Sequence, residues 1–269
     1  MLTVETATPH LRLTPFVRSY VHRSTDTSGA EIVEPVVARL GTMLEFQFDR
    51  LYEIPIYGTN QIMFSPRITV IGPVTGRRVR LVLRDHVQAL AVMFQPHGFC
   101  AVFGVPTHLV TNVGVEATGV LGSEASQLYE QLGNVESFVE RVRLLDDFLL
   151  RRLARNRPLN TIHRALDRMI NPDFSCKVSE IAWDAGVTTR QLERKALEYM
   201  GVSPKLIVRI ARYQRAMQMK VAGPKTWIEI AHAVGYHDQM HMIRDFHEFA
   251  GGPPTSALQE ITSDHLINF

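Results

Sequence analysis

Two short runs of side chains have the chemistry to hydrogen-bond the edges of base pairs. Arg190, Gln191, Glu193 and Arg194 lie close together, and Gln239, Met240, Ile243 and Arg244 form a second group. Arginine can donate twice to a guanine edge, glutamine can bond adenine, and glutamate can accept from cytosine. An apolar side chain can pack on a thymine methyl. Such a group must sit on a rigid element that turns one face outward. Leu192, Ala196 and Met200 recur at i, i+4 and i+8 behind the first group, as do Met242, Phe246 and Ala250 behind the second. That spacing predicts two helices with an apolar inner face. Thr188, Thr189, Lys195, His237 and Asp238 flank the two groups, and Arg209 and Arg212 lie between them. With the eight residues above, they form the candidate DNA-binding set.

The elements beneath these groups are written twice. Glu180, Ile181, Ala182 and Gly186 recur 49 positions later as Glu229, Ile230, Ala231 and Gly235. Leu192, Gly201 and Pro204 recur 50 positions later as Met242, Gly251 and Pro254, so the second copy holds one extra residue just after its glycine. Each copy reads as a short helix, a glycine able to take positive φ, and a second helix capped by Thr188 or Thr189 in one copy and by Asp238 in the other. A helix, a tight turn and a helix with arginine and glutamine outward is the helix-turn-helix that enters the major groove. One match is weak; two at nearly fixed offset are strong. Between the copies, Ser203-Pro204 opens an amphipathic helix that runs to Lys220, roughly 25 Å long. From Thr188 to Lys225 there are nine Lys/Arg against two Glu. Beside two helix-turn-helix units, this local excess favours phosphate contact over a merely solvated face.

Residues 160–258 resemble the DNA-binding domain of the AraC/XylS family of transcription regulators. The resemblance rests on Ile181-Ala182, Gly186-Val187, Arg190-x-Leu192-x-Arg194, Gly201-Val202-Ser203-Pro204 and Arg212-x-x-Arg215-Ala216. It continues through Ile228-x-x-Ala231, Gly235-Tyr236-x-Asp238, His241, Arg244-x-Phe246 and Gly251-x-x-Pro254. Ala196 stands where the family usually has Phe, which implies a less filled first unit. Pro253 stands where Ser is usual, which implies a weaker last cap. The Gly72-Pro73-x-Thr75 and Phe94-x-Pro96-x-Gly98 pieces resemble, less specifically, the β-rich N-terminal domain of one subgroup of that family.

A length of 269 residues suggests two domains, drawn at 1–155 and 156–269. The fold class expected is α+β: a β-rich domain followed by helices, then an all-α domain of two helix-turn-helix units joined by a long helix. Composition is that of a soluble globular chain. No apolar run is long enough to span a bilayer, and Met1 to Pro15 lacks a signal-peptide pattern. A cytoplasmic location is expected. Cys100 and Cys176 are far apart and form no metal or disulfide spacing. Short runs at Val33–Leu40, Met43–Phe48, Gln61–Phe64, Thr69–Ile71, Val79–Leu83 and Ala89–Phe94, separated by turn residues, predict an antiparallel sandwich or partly open barrel. A short helix is expected to end near Gly104, and Ser123 should cap a helix to Leu132.

Val135, Phe138, Val142, Leu145, Leu149 and Leu153 then form one apolar stripe. It either packs on its own β-rich domain or forms a dimer seam through Val135, Phe138, Val142, Leu145 and Leu149. Arg151 to Pro158 reads as the linker, and Leu159 to Ile170 as the first helix of the second domain. His237 and His241, four apart, lack a Cys or carboxylate at ligand spacing and read as surface or capping residues. Arg77, Arg78, Arg80 and Arg84 could bind an acidic effector or DNA, or read as alternating positions on an exposed strand. No phosphate loop, nucleotide fingerprint or nucleophile elbow occurs, so neither a cofactor nor an enzymatic activity is expected. The candidate partners are double-stranded DNA, a small-molecule effector, RNA polymerase and a second copy of the chain, with no membrane. The alternative is a ligand-binding or DNA-modifying protein with a DNA-attaching tail, as in DNA-repair methyltransferases. A convergent ionisable cluster inside the β-rich domain would favour it.

Overall fold

The computed structural model describes residues 2–77, 79–155, 161–170 and 177–260. Its first half is one antiparallel sheet of β1 (Leu2–Ala7), β2 (Val17–Pro35), β3 (Met43–Gln47), β4 (Glu53–Pro55), β5 (Ile62–Phe64), β6 (Ile68–Ile71), β7 (Arg80–Phe94) and β8 (Gly114–Glu116). The strand order is β1-β2-β7-β3-β6-β8, and β4 pairs with both β5 and β7. Between β7 and β8 lie α1 (Gly98–Phe103) and a 3-10 turn (Thr107–Val110). Helices α2 (Ala117–Leu121), α3 (Glu124–Gly133) and α4 (Phe138–Leu153) follow the sheet. The second half is helical: α5 (Thr161–Ile170), α6 (Val178–Asp184), α7 (Thr189–Met200), α8 (Pro204–Val221), α9 (Trp227–Ala233), α10 (Gln239–Ala250) and α11 (Pro254–Glu260). This is the expected α+β architecture. The proposed boundary at 155/156 and part of the linker fall outside the described residues, as do Leu159 and Cys176.

Strand patterning foresaw the centre of the sheet and missed its edge. No alternation marks a strand before Val33, yet β1 and most of β2 lie there. Between Asp26 and Glu31 the pairing of β2 with β7 slips, and Ser28 (φ 53°) and Gly29 (φ 82°) form the bulge. Val79–Leu83 and Ala89–Phe94 belong largely to one strand, β7, with a kink at Asp85 (φ 57°) where the sequence suggested a turn.

The sheet's two faces differ because side chains alternate along each strand. Leu44, Phe46, Leu90, Val92 and Phe94 are buried on one face, against Leu128, Leu132, Leu145, Phe148 and Leu149 of the helices. This corrects the dimer-seam reading. Leu145 and Leu149 are fully buried inside their own chain, and Phe138 and Val142 pack on the same core. Val135 precedes α4, and its carbonyl accepts from Arg141 Nε at 3.1 Å. The stripe covers the sheet because a sheet with one apolar face needs a second layer.

The opposite face carries Arg23, Thr25, Glu45 and Gln47, all buried. Arg23 forks onto Glu34, with Nη1 to Oε2 at 3.0 Å. Gln47 donates to Glu45 at 3.2 Å, and Ser65 donates to Gln47 at 2.9 Å. Burial pushes the Glu45 carboxyl up, opposed by Gln47, Arg23 and Arg39. Burial likewise lowers the Arg39 guanidinium to about 10, opposed by Glu45. The sequence reading singled out none of these residues.

Candidate nucleic-acid interface

Each unit is built by the same hydrogen bonds. In the first, Ala185 N–H donates to Ile181 O, Gly186 N–H to Trp183 O and Val187 N–H to Ala182 O, at 2.9–3.1 Å. In the second, Val234, Gly235 and Tyr236 N–H donate to Ile230, His232 and Ala231 O, at 2.9–3.1 Å. Gly186 (φ 69°) and Gly235 (φ 75°) occupy the left-handed region the turn requires. Ile181, Ala182, Leu192 and Ala196 are buried on one side of the turn, as are Ile230, Ala231, Met242 and Phe246 in the repeat. What remains outward is the polar face of α7 or α10.

On α7, Thr189, Arg190, Gln191, Glu193 and Arg194 are exposed, with Thr188 at the cap. Thr188 Oγ1 accepts from Gln191 N–H at 3.2 Å, while Gln191 Oε1 accepts from Thr188 N–H at 2.8 Å. This reciprocal capping box satisfies orphan donors at the helix start and occupies the amide oxygen of Gln191. On α10, Gln239, Met240 and Arg244 are exposed, preceded by His237 and Asp238, while Ile243 is half-buried. Asp238 Oδ1 accepts from His241 N–H at 2.6 Å, and this bond is the main reason its carboxyl sits below the ordinary range. The ion pairs that hold the described part of this domain leave Arg190, Arg194 and Arg244 aside.

Three other candidates sit elsewhere. Lys195 is half-buried and bonds Glu198 at 2.8 Å, on the side of α7 that packs toward α1. The i,i+3 spacing of that pair was visible in the sequence. Arg209 is not a free phosphate ligand. Its Nη2 lies 2.7 Å from Asp245 Oδ1 and 2.5 Å from Glu248 Oε2, and its guanidinium lies 4.9 Å from the Phe249 ring centroid. Glu248 first, then Asp245, hold that guanidinium above its ordinary value. Arg212 is half-buried, 5.2 Å over the Tyr236 ring.

Residues 181–260 match the helix-turn-helix domain family, and residues 5–116 match a domain of unknown function (DUF6597). The C-terminal region is an AraC-type helix-turn-helix domain. With it, the chain is a DNA-binding transcription regulator. ToxT from Vibrio cholerae shares the fold at 9% identity, with a TM-score of 0.50 over 97% of this chain and 98% of that chain. A ToxT structure bound to (E)-4-(8-methylnaphthalen-1-yl)but-3-enoic acid gives 10% identity and a TM-score of 0.50 over 97% and 99%. The AraC-like transcriptional activator CuxR aligns at 13% identity over 86% of this chain and 91% of its own, with a TM-score of 0.32. No curated protein matches.

Cys100 is buried, and burial first, then Glu198, pushes its thiol up to about 12, far from a reactive thiolate. Among the described residues no group of three or more His, Cys, Asp or Glu is placed to hold a metal. No described helix is long and apolar enough to cross a membrane.

Proposed function

We propose that this regulator reads DNA with α7 and α10 in successive major grooves on one face of the duplex. The observation that supports it is the pair of exposed polar helix faces standing on identically bonded turns. Arg190, Glu193 and Arg194 are the base-reading side chains of the first head, and Gln239, Met240 and Arg244 those of the second. Thr188, Gln191 and Asp238 cap the helices, and with Thr189 and His237 they meet the backbone beside them. Selection of bound duplexes from a random pool, followed by DNase footprinting with the full chain, tests this. Two protected patches roughly 10–11 base pairs apart are expected, and one short patch would overturn it.

The β-rich domain, drawn to residue 155, serves as the receiver of a small-molecule effector. Its candidate seat is the buried polar face of the sheet. There Arg23, Glu34, Arg39, Glu45 and Gln47 converge, and the buried hydroxyls of Thr25 and Thr27 have no hydrogen-bond partner among the described residues. Buried polar groups normally find a partner, and a ligand with hydroxyl or carboxylate groups would supply one. ToxT in complex with a butenoic acid shows this overall fold carrying a ligand. The cluster pairs its charges without a nucleophile among them, so ligand binding fits it better than catalysis. The role calls for RNA polymerase and a second copy of the chain as further partners, and for action in the cytoplasm.

A further inference from the structure

The two DNA-facing helices are capped at their far ends by the other domain. A helix leaves its last four carbonyls without an intrahelical partner, and its dipole gathers negative charge there. At the end of α7, Tyr199 O accepts from Thr107 Oγ1 at 2.8 Å, and Gly201 O accepts from Thr111 Oγ1 at 3.1 Å. At the end of α10, Phe249 O accepts from Ala38 N–H at 2.9 Å, and Ala250 O accepts from Arg77 Nη1 at 3.3 Å. All four donors come from the β-rich half of the chain.

Arg77 is itself aimed. Its Nε and Nη2 donate to Tyr57 Oη at 2.9 and 2.6 Å. Its aliphatic stem lies along the left-handed cap residue Gly251 (φ 83°), where an added Cβ would stand 2.7 Å from Arg77 Cδ. The segment carrying Arg77 is tied to the one carrying Ala38 by reciprocal backbone bonds between Arg39 and Val74, at 2.8 and 2.9 Å. The contact is thus a braced surface of two segments against one helix end.

From this geometry we infer that Arg77 is a positioning residue for DNA reading. It fixes the C-terminal end of α10 to the β-rich domain, so that both reading helices meet one duplex in a set register. The inference rests on the two-headed reading above. Arg77 meets Tyr57, the Ala250 carbonyl and Gly251, all away from the N-terminal turns of the reading helices, so its effect on DNA would pass through the placement of α10.

The test uses the full chain, its Arg77→Met and Tyr57→Phe variants, and a duplex selected by the wild type. Half-resolved footprints, affinity and its salt dependence are read, with circular dichroism as the check on folding. Arg77→Met keeps the stem and removes the donors. It should bind about fivefold more weakly, the worth of roughly one hydrogen bond. The patch under α10 should be lost at protein concentrations that still protect the patch under α7. The slope of affinity against salt should not change. Tyr57→Phe, which frees Arg77 without removing it, should shift the same way by less, and it carries the test if Arg77→Met loses its native spectrum. Unchanged footprints in both variants would overturn the inference, as would tighter binding. A salt slope reduced by about one, with Tyr57→Phe silent, would make Arg77 a direct phosphate ligand instead. A wild type that protects a single patch fails the two-headed reading itself, a distinct result.

Discussion

From the turn glycine to the helix cap takes two residues in the first unit, Gly186 to Thr188, and three in the second, Gly235 to Asp238. The extra residue follows Tyr236, which is buried and packs edge-on against His241 at 5.3 Å. Behind the caps the units differ more. Phe246 sits among Tyr213 at 4.9 Å and Trp227 at 5.4 Å, and Arg209 ties α8 to α10 through Asp245 and Glu248. The matching position in the first unit is Ala196, fully buried. That unit leans on the β-rich domain: Tyr199 packs against both cores, and His163 meets Tyr199 edge-on at 4.8 Å and His97 at a tilt at 5.3 Å. One backbone motif therefore has an internal aromatic and ionic lock in one copy, where the β-rich domain meets only the far end of α10, and relies on that neighbouring domain in place of such a lock in the other.

The sharpest way to break this comparison is Phe246→Ala. Truncating a fully buried aromatic costs about 3–5 kcal/mol, and Tyr213 and Trp227 would lose their shared partner. Chemical denaturation should show that loss, and hydrogen exchange should place it in α9 and α10. Equal loosening of α6 and α7 would mean the two units are not separately stabilised.

Arg209→Ala comes next, at about 3 kcal/mol, because it strands the buried Asp245 carboxylate. The affinity for DNA should fall while its salt slope holds, since Arg209 is paired within the protein. Arg209→Lys should recover only part, lacking the planar fork that meets two carboxylates. A salt slope that falls by about one would restore Arg209 to the phosphate-contacting set.

This pairing marks where sequence reading stops. The duplicated turns, the caps Thr188 and Asp238, and the Ser203-Pro204 helix start follow local rules of period and capping, so they were legible. Arg209 and Asp245 lie 36 positions apart, and no local rule joins them. Thr107, Thr111 and Arg77 act from irregular segments where no period points to a partner. β2 hid because polar residues on both of its faces erase the alternation. The stripe on α4 was legible as a stripe, but its spacing could not tell a sheet of the same chain from a second copy.

Acid should separate the units by about 2 kcal/mol at pH 5, the next smaller effect. His163 is buried between α5, α1 and α7, and its pKa is lowered to about 4. Desolvation is the main cause, followed by His97; Lys195 adds to it and Asp167 opposes it. An exposed histidine titrates near 6.5. The opened state therefore binds more protons below that value, and the packed state loses stability as pH falls from about 6.5 toward 4. The difference at pH 5 follows from those two values. Thermal melts from pH 7.5 to 4.5 should show this loss, and His163→Gln should flatten it. Hydrogen exchange should locate the opening at α5 and α7, ahead of α10. Simultaneous opening of both units would count against unequal support.

The smallest effect expected is at the reading faces, where the units should differ in kind. Arg194 is exposed and outside the ion pairs of its domain, so replacing it leaves no buried group unpaired and should not change the melting temperature. If it reads a guanine edge, Arg194→Ala costs about 1–2 kcal/mol for that base and nearly nothing once the base is changed, because the lost bonds belonged to one base. Arg244→Ala should do the same at a position in the other half-site, beside Met240, whose exposed side chain offers apolar contact rather than hydrogen bonds. Measuring both variants against duplexes altered at every position of the selected site gives two specificity profiles. Relaxation at separate positions, one per patch, matches two heads reading different chemistry. Uniform weakening across all sequences, with a salt slope lower by about one, would make that arginine a phosphate clamp and move its unit's specificity to the remaining side chains of the face.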